Sequence, residues 1–161
     1  MTMRVVGLSL EGAQELKSKL ELLREDIRGP ILRNAVQEGA EPILADARAR
    51  APVLKSPALH RVAGMMRSLI KAWPARQTRL GKFTMQIGVD LRELQRFLPA
   101  VKRTKNDSPD FLYPLYEEYG TTKNEAQPFL RPAIDAQGDN AVKRVIAVIQ
   151  RNLKRYEEHS G

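Results

Sequence analysis

The residues of this chain whose types and spacing could do chemistry are few. Glu117 and Glu118 are adjacent in "LYEEYGT", residues 115–121. On a strand such neighbours point to opposite faces, and on a helix they diverge by about 100 degrees, so they do not make a general acid–base pair by themselves. Their expected role is that of solvated acids or of partners for arginine, and Glu118→Gln is expected to be mild. The two histidines, His60 and His159, stand apart from one another. No HExxH or comparable spacing gathers metal ligands around them, and nothing near His60 forms a recognisable nucleophile context. Gly81, Gly88 and Gly120 fit neither GxGxxG nor GxxxxGK[ST], so no phosphate-cradling loop is expected. With no cysteine in the chain, disulfides, thiolate zinc sites and cysteine nucleophiles are excluded. No catalytic residue, cofactor site or metal site is therefore expected, and the chain reads as something other than an enzyme.

Binding chemistry has more to stand on. The net charge is +8 over 161 residues, and it is unevenly placed. Between Arg61 and Lys105 there are eleven Lys or Arg against Asp90 and Glu93, a local balance of +9 that leaves the rest of the chain near neutral. Such a segment acts on an acidic partner, nucleic acid or protein. It includes Trp73 and Phe83, which could stack on bases, so a small basic nucleic-acid-binding module is the alternative reading. Neither a helix-turn-helix nor an RNA-binding aromatic signature accompanies them.

The elements that must position these residues follow from periodicity. The length suits one domain over 1–161. No stretch approaches the roughly 18 apolar residues that span a bilayer, so no membrane partner and a cytoplasmic location are expected. Residues 3–6 suggest a short strand and Ser9 an N-cap. Ala13, Leu16, Leu20, Leu23 and Ile27 recur at helical spacing up to a stop at Gly29-Pro30. A second helix, 31–51, carries Leu32, Val36, Ala40, Ile43 and Ala47 on one stripe, with small residues at 35, 39 and 40 suited to close packing. Pro42 predicts a kink or break near 39–41, and Pro52 an end. "MRSLIKAWPA" and "KFTMQIGVD" read as two hairpin strands around "RQTRLG", with 65–70 equally able to form the last turns of a helix. Residues 91–112 read as a long mobile loop, with Lys102, Arg103 and Lys105 as its docking residues. A last helix spans 139–156. The order predicts an α+β fold, a small antiparallel sheet packed against two or three helices.

Five segments appear in a telling order: "GLSLEGAQELKSKL" (7–20), "ADARARAP" (45–52), "AGMMRSLIKA" (63–72), "LYEEYGT" (115–121) and "AQPFLRPAID" (126–135). In this the chain resembles, over nearly its full length, the tail-component, neck or tail-completion proteins of the head–tail joining apparatus of long-tailed phages. The specific part is "EYGT" followed closely by "PFLRPA". Ala63, where serine or threonine is common, and the length of 91–112 depart from the family's pattern.

The resemblance implies a structural virion protein of the neck, made in the host cytoplasm, which forms a homo-oligomeric ring, sixfold to match the tail. Its implied partners are head-completion or connector proteins and tail-terminator or tail-tube proteins, with DNA passing nearby and not read by sequence. The implied interface or motif residues are Tyr116, Glu118, Tyr119, Gly120, Thr121, Pro128, Phe129, Leu130, Arg131 and Pro132. Of these, Gly120 is expected at positive φ, Thr121 and Thr122 to satisfy backbone groups at the turn, and Pro132 to sit in the first turn of a helix. Phe129 is expected to fill this subunit's core or a neighbour's.

Overall fold

In the computed structural model, which describes residues 13–53, 64–75, 83–97 and 113–160, two long helices form the backbone of the molecule. These are α2 (Glu25–Arg50) and α6 (Leu130–Ser160), about 39 and 46 Å long at 1.5 Å per residue. They run antiparallel, because Asn34 meets Asn152 and Glu38 meets Arg144 and Arg151 across the interface. They approach closely at Gly39, where a Cβ would come within 2.3 Å of a Val145 methyl. The small residues at 35, 39 and 40 are all buried, as the sequence suggested.

The remaining elements cover the two ends. A short helix, α1 (Ala13–Leu22), lays Leu16 and Leu20 against a core of Ile31, Ala35, Val148, Ile149 and Leu153. At the other end α3 (Met65–Leu69) leads into β1 (Ile70–Pro74), which pairs antiparallel with β2 (Met85–Val89) in the register Ile70↔Val89. One face of this hairpin, with Ala72, Ile87 and Val89, packs on a second core of Leu44, Ala47, Met66, Ile70, Phe129 and Ala133. Two short helices, α4 (Leu91–Phe97) and α5 (Tyr113–Tyr119), complete the fold. It is α+β, helix-rich, with a small two-stranded antiparallel sheet on the helices.

Several local expectations are corrected. The first helix breaks at Leu23-Arg24, where Arg24 is extended (φ −60, ψ 150), and not at Gly29-Pro30. α1 has to turn back to reach Ile149, whereas the stripe Ile27, Ile31, Ala35 stays on α6. α2 passes through both Pro30 and Pro42 without a break, since packing along both flanks outweighs the one backbone donor that each proline removes. Burial on two flanks also widens the stripe: Ala40 and Ala47 are buried as expected, Ile31, Ala35, Gly39 and Leu44 are buried as well, and Leu32, Val36 and Ile43 are half-buried. The segment at 65–70 is both things at once, a helix to Leu69 and a strand from Ile70. Residues 91–97, expected as loop, are helical, because Asp90 caps them: its Oδ1 accepts the N–H groups of Arg92 and Glu93, both at 3.1 Å. The last helix begins at Leu130, nine residues earlier than its apolar period alone suggests. The strand at 3–6, Ser9, His60, Ala63, and Lys102, Arg103 and Lys105 of the loop lie outside the described residues.

Among the described residues no helix is long and apolar enough to cross a membrane.

Candidate functional site

The start of α6 explains why "EYGT" and "PFLRPA" belong together. A helix leaves its first four N–H groups without partners inside the helix. Here those positions are Phe129, Leu130, Arg131 and Pro132, and proline has no N–H to satisfy. The other three donate to one side chain. Glu118 Oε2 accepts from Phe129 N (2.8 Å) and Leu130 N (3.0 Å), and its Oε1 accepts from Arg131 N (3.1 Å). Arg131 Nε donates to Oε1 as well, at 3.1 Å, so the four lone-pair sites of the carboxylate are all occupied. α6 has no acidic residue in its own first turn; Glu118, twelve residues before Leu130, supplies the negative charge that the helix N-terminus favours.

Three carbonyls near the end of α5 are satisfied in turn. Gly120 N donates to Tyr116 O (2.8 Å), Gln127 N to Glu117 O (2.7 Å), and Arg131 Nη2 to Glu118 O (2.7 Å). Arg131 thus grips both the side chain and the main chain of Glu118, and its guanidinium lies 4.8 Å from the centre of the Tyr119 ring. Gly120 has φ 75, as expected, and a Cβ there would meet Ala126 N at 2.9 Å. The turn that follows is held by Thr121, whose Oγ1 accepts from Lys123 N (3.2 Å) and Asn124 N (3.0 Å).

Glu118 is 3% exposed and is the buried charged residue among those described. Burial pushes its carboxyl pKa up, but the N–H groups of Leu130, Phe129 and Arg131, with the Arg131 side chain, together outweigh it and hold the group below the usual carboxylate value. It is ionised and capped by protein donors, which overturns its expected place among solvated acids. Arginine is its partner as foreseen, yet the three backbone N–H groups contribute the greater part of its surroundings. Gln in its place is no longer expected to be mild.

The structure gathers Tyr116, Glu118, Tyr119, Gly120, Thr121, Pro128, Phe129, Leu130, Arg131 and Pro132 around this one clamp. Phe129 is fully buried in the subunit's own core, with Leu130 packed beside it. Pro128 and Pro132 are half-buried and Tyr119 is exposed.

A second charged cluster escaped notice in the sequence. Lys71 on β1 pairs with Glu93 on α4 and stands 3.7 Å from Asp90. The Glu93 hydrogen bond raises the Lys71 pKa, and the bond from the Glu93 N–H lowers that of Asp90. The D-x-x-E spacing at 90–93 is an N-terminal capping signal that marks α4. Phe83 lies against α2, 5.8 Å from the Arg33 guanidinium, whereas Trp73 faces out. Among the described residues no group of three or more His, Cys, Asp or Glu is placed to hold a metal ion. Comparison with protein-family models, curated proteins and solved structures finds no match.

Proposed function

We propose that this chain is a structural protein of a tailed-phage virion, a subunit of a ring in the neck where head meets tail. The observation that carries the reading is the use made of the most specific shared segments. "EYGT" and "PFLRPA" fasten α5 rigidly to the start of α6 through a carboxylate with no free lone pair, which suits a scaffold that presents a surface and leaves Glu118 unable to accept a substrate proton. Ring subunits act by holding complementary faces at fixed angles, so rigidity of this kind is what assembly demands. The partners are head-completion or connector proteins on one side and tail-terminator or tail-tube proteins on the other, with DNA passing without sequence-specific contact.

The test is a reconstruction of the virion together with complementation of a phage lacking the gene. The expected result is a closed ring of this chain in the neck, sixfold, and an accumulation of unjoined heads and tails in its absence. A virion that lacks the chain, or holds it as single copies, overturns the proposal.

A further inference from the structure

The joint between α1 and α2 is where local sequence and fold disagree. Ala13, Leu16, Leu20, Leu23, Ile27, Ile31 and Ala35 recur every three or four residues, one unbroken helical stripe from α1 into α2. Residues 20–27, "LELLREDI", contain neither glycine nor proline, and leucine, glutamate and arginine rank among the good helix formers. Yet Leu23 and Arg24 leave the helix. Arg24 stands at the N-cap of α2 with φ −60 and ψ 150, and its side chain makes no capping hydrogen bond there. The break is held by what α1 gains when it folds back.

That gain is apolar and incomplete. Leu16, Leu20 and Leu23 pack on the core of Ile31, Ala35, Val148, Ile149 and Leu153, but all three leucines stay half-buried. An open cleft of about 460 Å³ remains between Leu16 and Leu20 on one side and Arg28, Leu32 and Ile149 on the other. The ion pairs of α1, Lys17 with Glu21 and Lys19 with Glu15, are internal to the helix and travel with it. α1 can therefore leave its groove while α2 and α6 stay paired through Asn34 with Asn152 and Glu38 with Arg144 and Arg151.

Straightening the joint makes α1 a continuation of α2, longer by about 18 Å from Ala13 to Arg24 at 1.5 Å per residue. Asn34 meets Asn152, so Asp26 comes opposite Ser160 and the straight arm runs past the described length of α6. Its leucines and the groove it vacates are then both uncovered. They match one another, because in the single chain they pack together.

We propose that two copies of this chain exchange their α1 arms, each straightened arm seating Leu16 and Leu20 in the groove of Leu32 and Ile149 on the other copy. The arm-to-groove contacts of the single chain re-form between chains, and the joint recovers the helical turn that its residues favour. Exchange of an identical element is for this reason a low-cost route to association, and a two-residue joint invites it. The occupant of the groove follows from the structure, in which α1 already fills it. The proposal goes beyond the ring reading and holds whether or not the copies lie in a phage neck.

The experiment uses the full-length chain, whose lack of cysteine lets spin labels go only where a cysteine is placed. Lys19→Cys on α1 and Gln150→Cys beside Ile149 are at exposed positions. The double variant, diluted in excess unlabelled protein, reads the distance within one chain by dipolar spectroscopy. The two single variants, mixed as monomers and then concentrated, read the distance between chains. Light scattering is expected to show a dimer that grows with concentration. In the monomer the within-chain distance is short; in the dimer it lengthens, and the mixed single variants show between chains the short distance that the monomer shows within one. Inserting two glycines between Leu23 and Arg24 leaves the folded-back joint at ease but breaks the straight helix, and should weaken the dimer about tenfold or more, with circular dichroism confirming the fold. Protein that stays monomeric at every concentration, a dimer whose within-chain distance stays short, or an insertion that leaves the dimer as strong as before overturns the proposal.

Discussion

At the scale of single residues, Glu118 carries the largest consequence. Gln keeps one acceptor oxygen but turns an NH₂ group toward backbone donors and removes the charge. The loss of charge-assisted bonds sets the expected cost of Glu118→Gln at about 1.5–3 kcal/mol, read as a shift in the urea midpoint. Its pH dependence has a definite sign. The folded pKa lies below the unfolded value, so the contribution is complete above the ordinary carboxylate pKa of 4.5 and is lost as pH falls through the lower, folded one. Acid titration of stability should show this loss in wild type, and Glu118→Gln should remove that part of the curve. Two glycines separate strain from crowding. Among the described residues nothing lies within 4 Å of a Cβ at Gly64 (φ 78), while one at Gly120 (φ 75) meets Ala126 N at 2.9 Å and Asn124 O at 3.1 Å. Gly64→Ala should cost about 1–2 kcal/mol from the left-handed backbone alone, and Gly120→Ala measurably more in the same denaturation assay.

At the scale of elements, the contact between α2 and α6 is set by how closely two backbones approach. A methyl at Gly39 overlaps Val145 and presses on Ala141 O at 3.2 Å. Gly39→Ala should therefore destabilise by about 1–3 kcal/mol although alanine is the better helix former, and calorimetry of the pair Gly39→Ala and Gly39→Ala/Val145→Ala should show part of the loss recovered. Phe129 ties α6 to α2 and the hairpin at zero exposure, so Phe129→Ala should cost about 3–5 kcal/mol and lower the melting temperature. Of the two helices that the Glu118 clamp joins, α5 was not anticipated from the sequence and α6 only in part. Pro132 pointed to a first turn, but the period beginning at Asp139 missed the nine residues before it, because their cap is not a neighbour in sequence.

At the scale of the whole molecule, the uneven charge along the sequence, +9 over 61–105 against −3 over 113–139, should make association of this chain in the proposed ring sensitive to salt. Screening shortens to about 8 Å at physiological ionic strength and about 3 Å at 1 M, so association of the wild-type protein should weaken as salt rises, while the apolar contacts persist. Sedimentation equilibrium across a salt series measures it, and association that strengthens with salt would assign the contact to apolar burial alone.

The sequence by itself determined the class of the fold, the hairpin with its alternating Met85, Ile87 and Val89, the positive φ of Gly120 and the place of Pro132, because each is written within a few residues of chain. Tertiary structure alone decided what Glu118 does and how far α2 runs. The turn at Gly120 folds α5 back so that a carboxylate meets N–H groups eleven to thirteen residues away, and α2 continues through two prolines because α6 and the hairpin cover it on two sides. Local patterns report which donors a helix end leaves open; only the folded chain brings a distant acid to answer them.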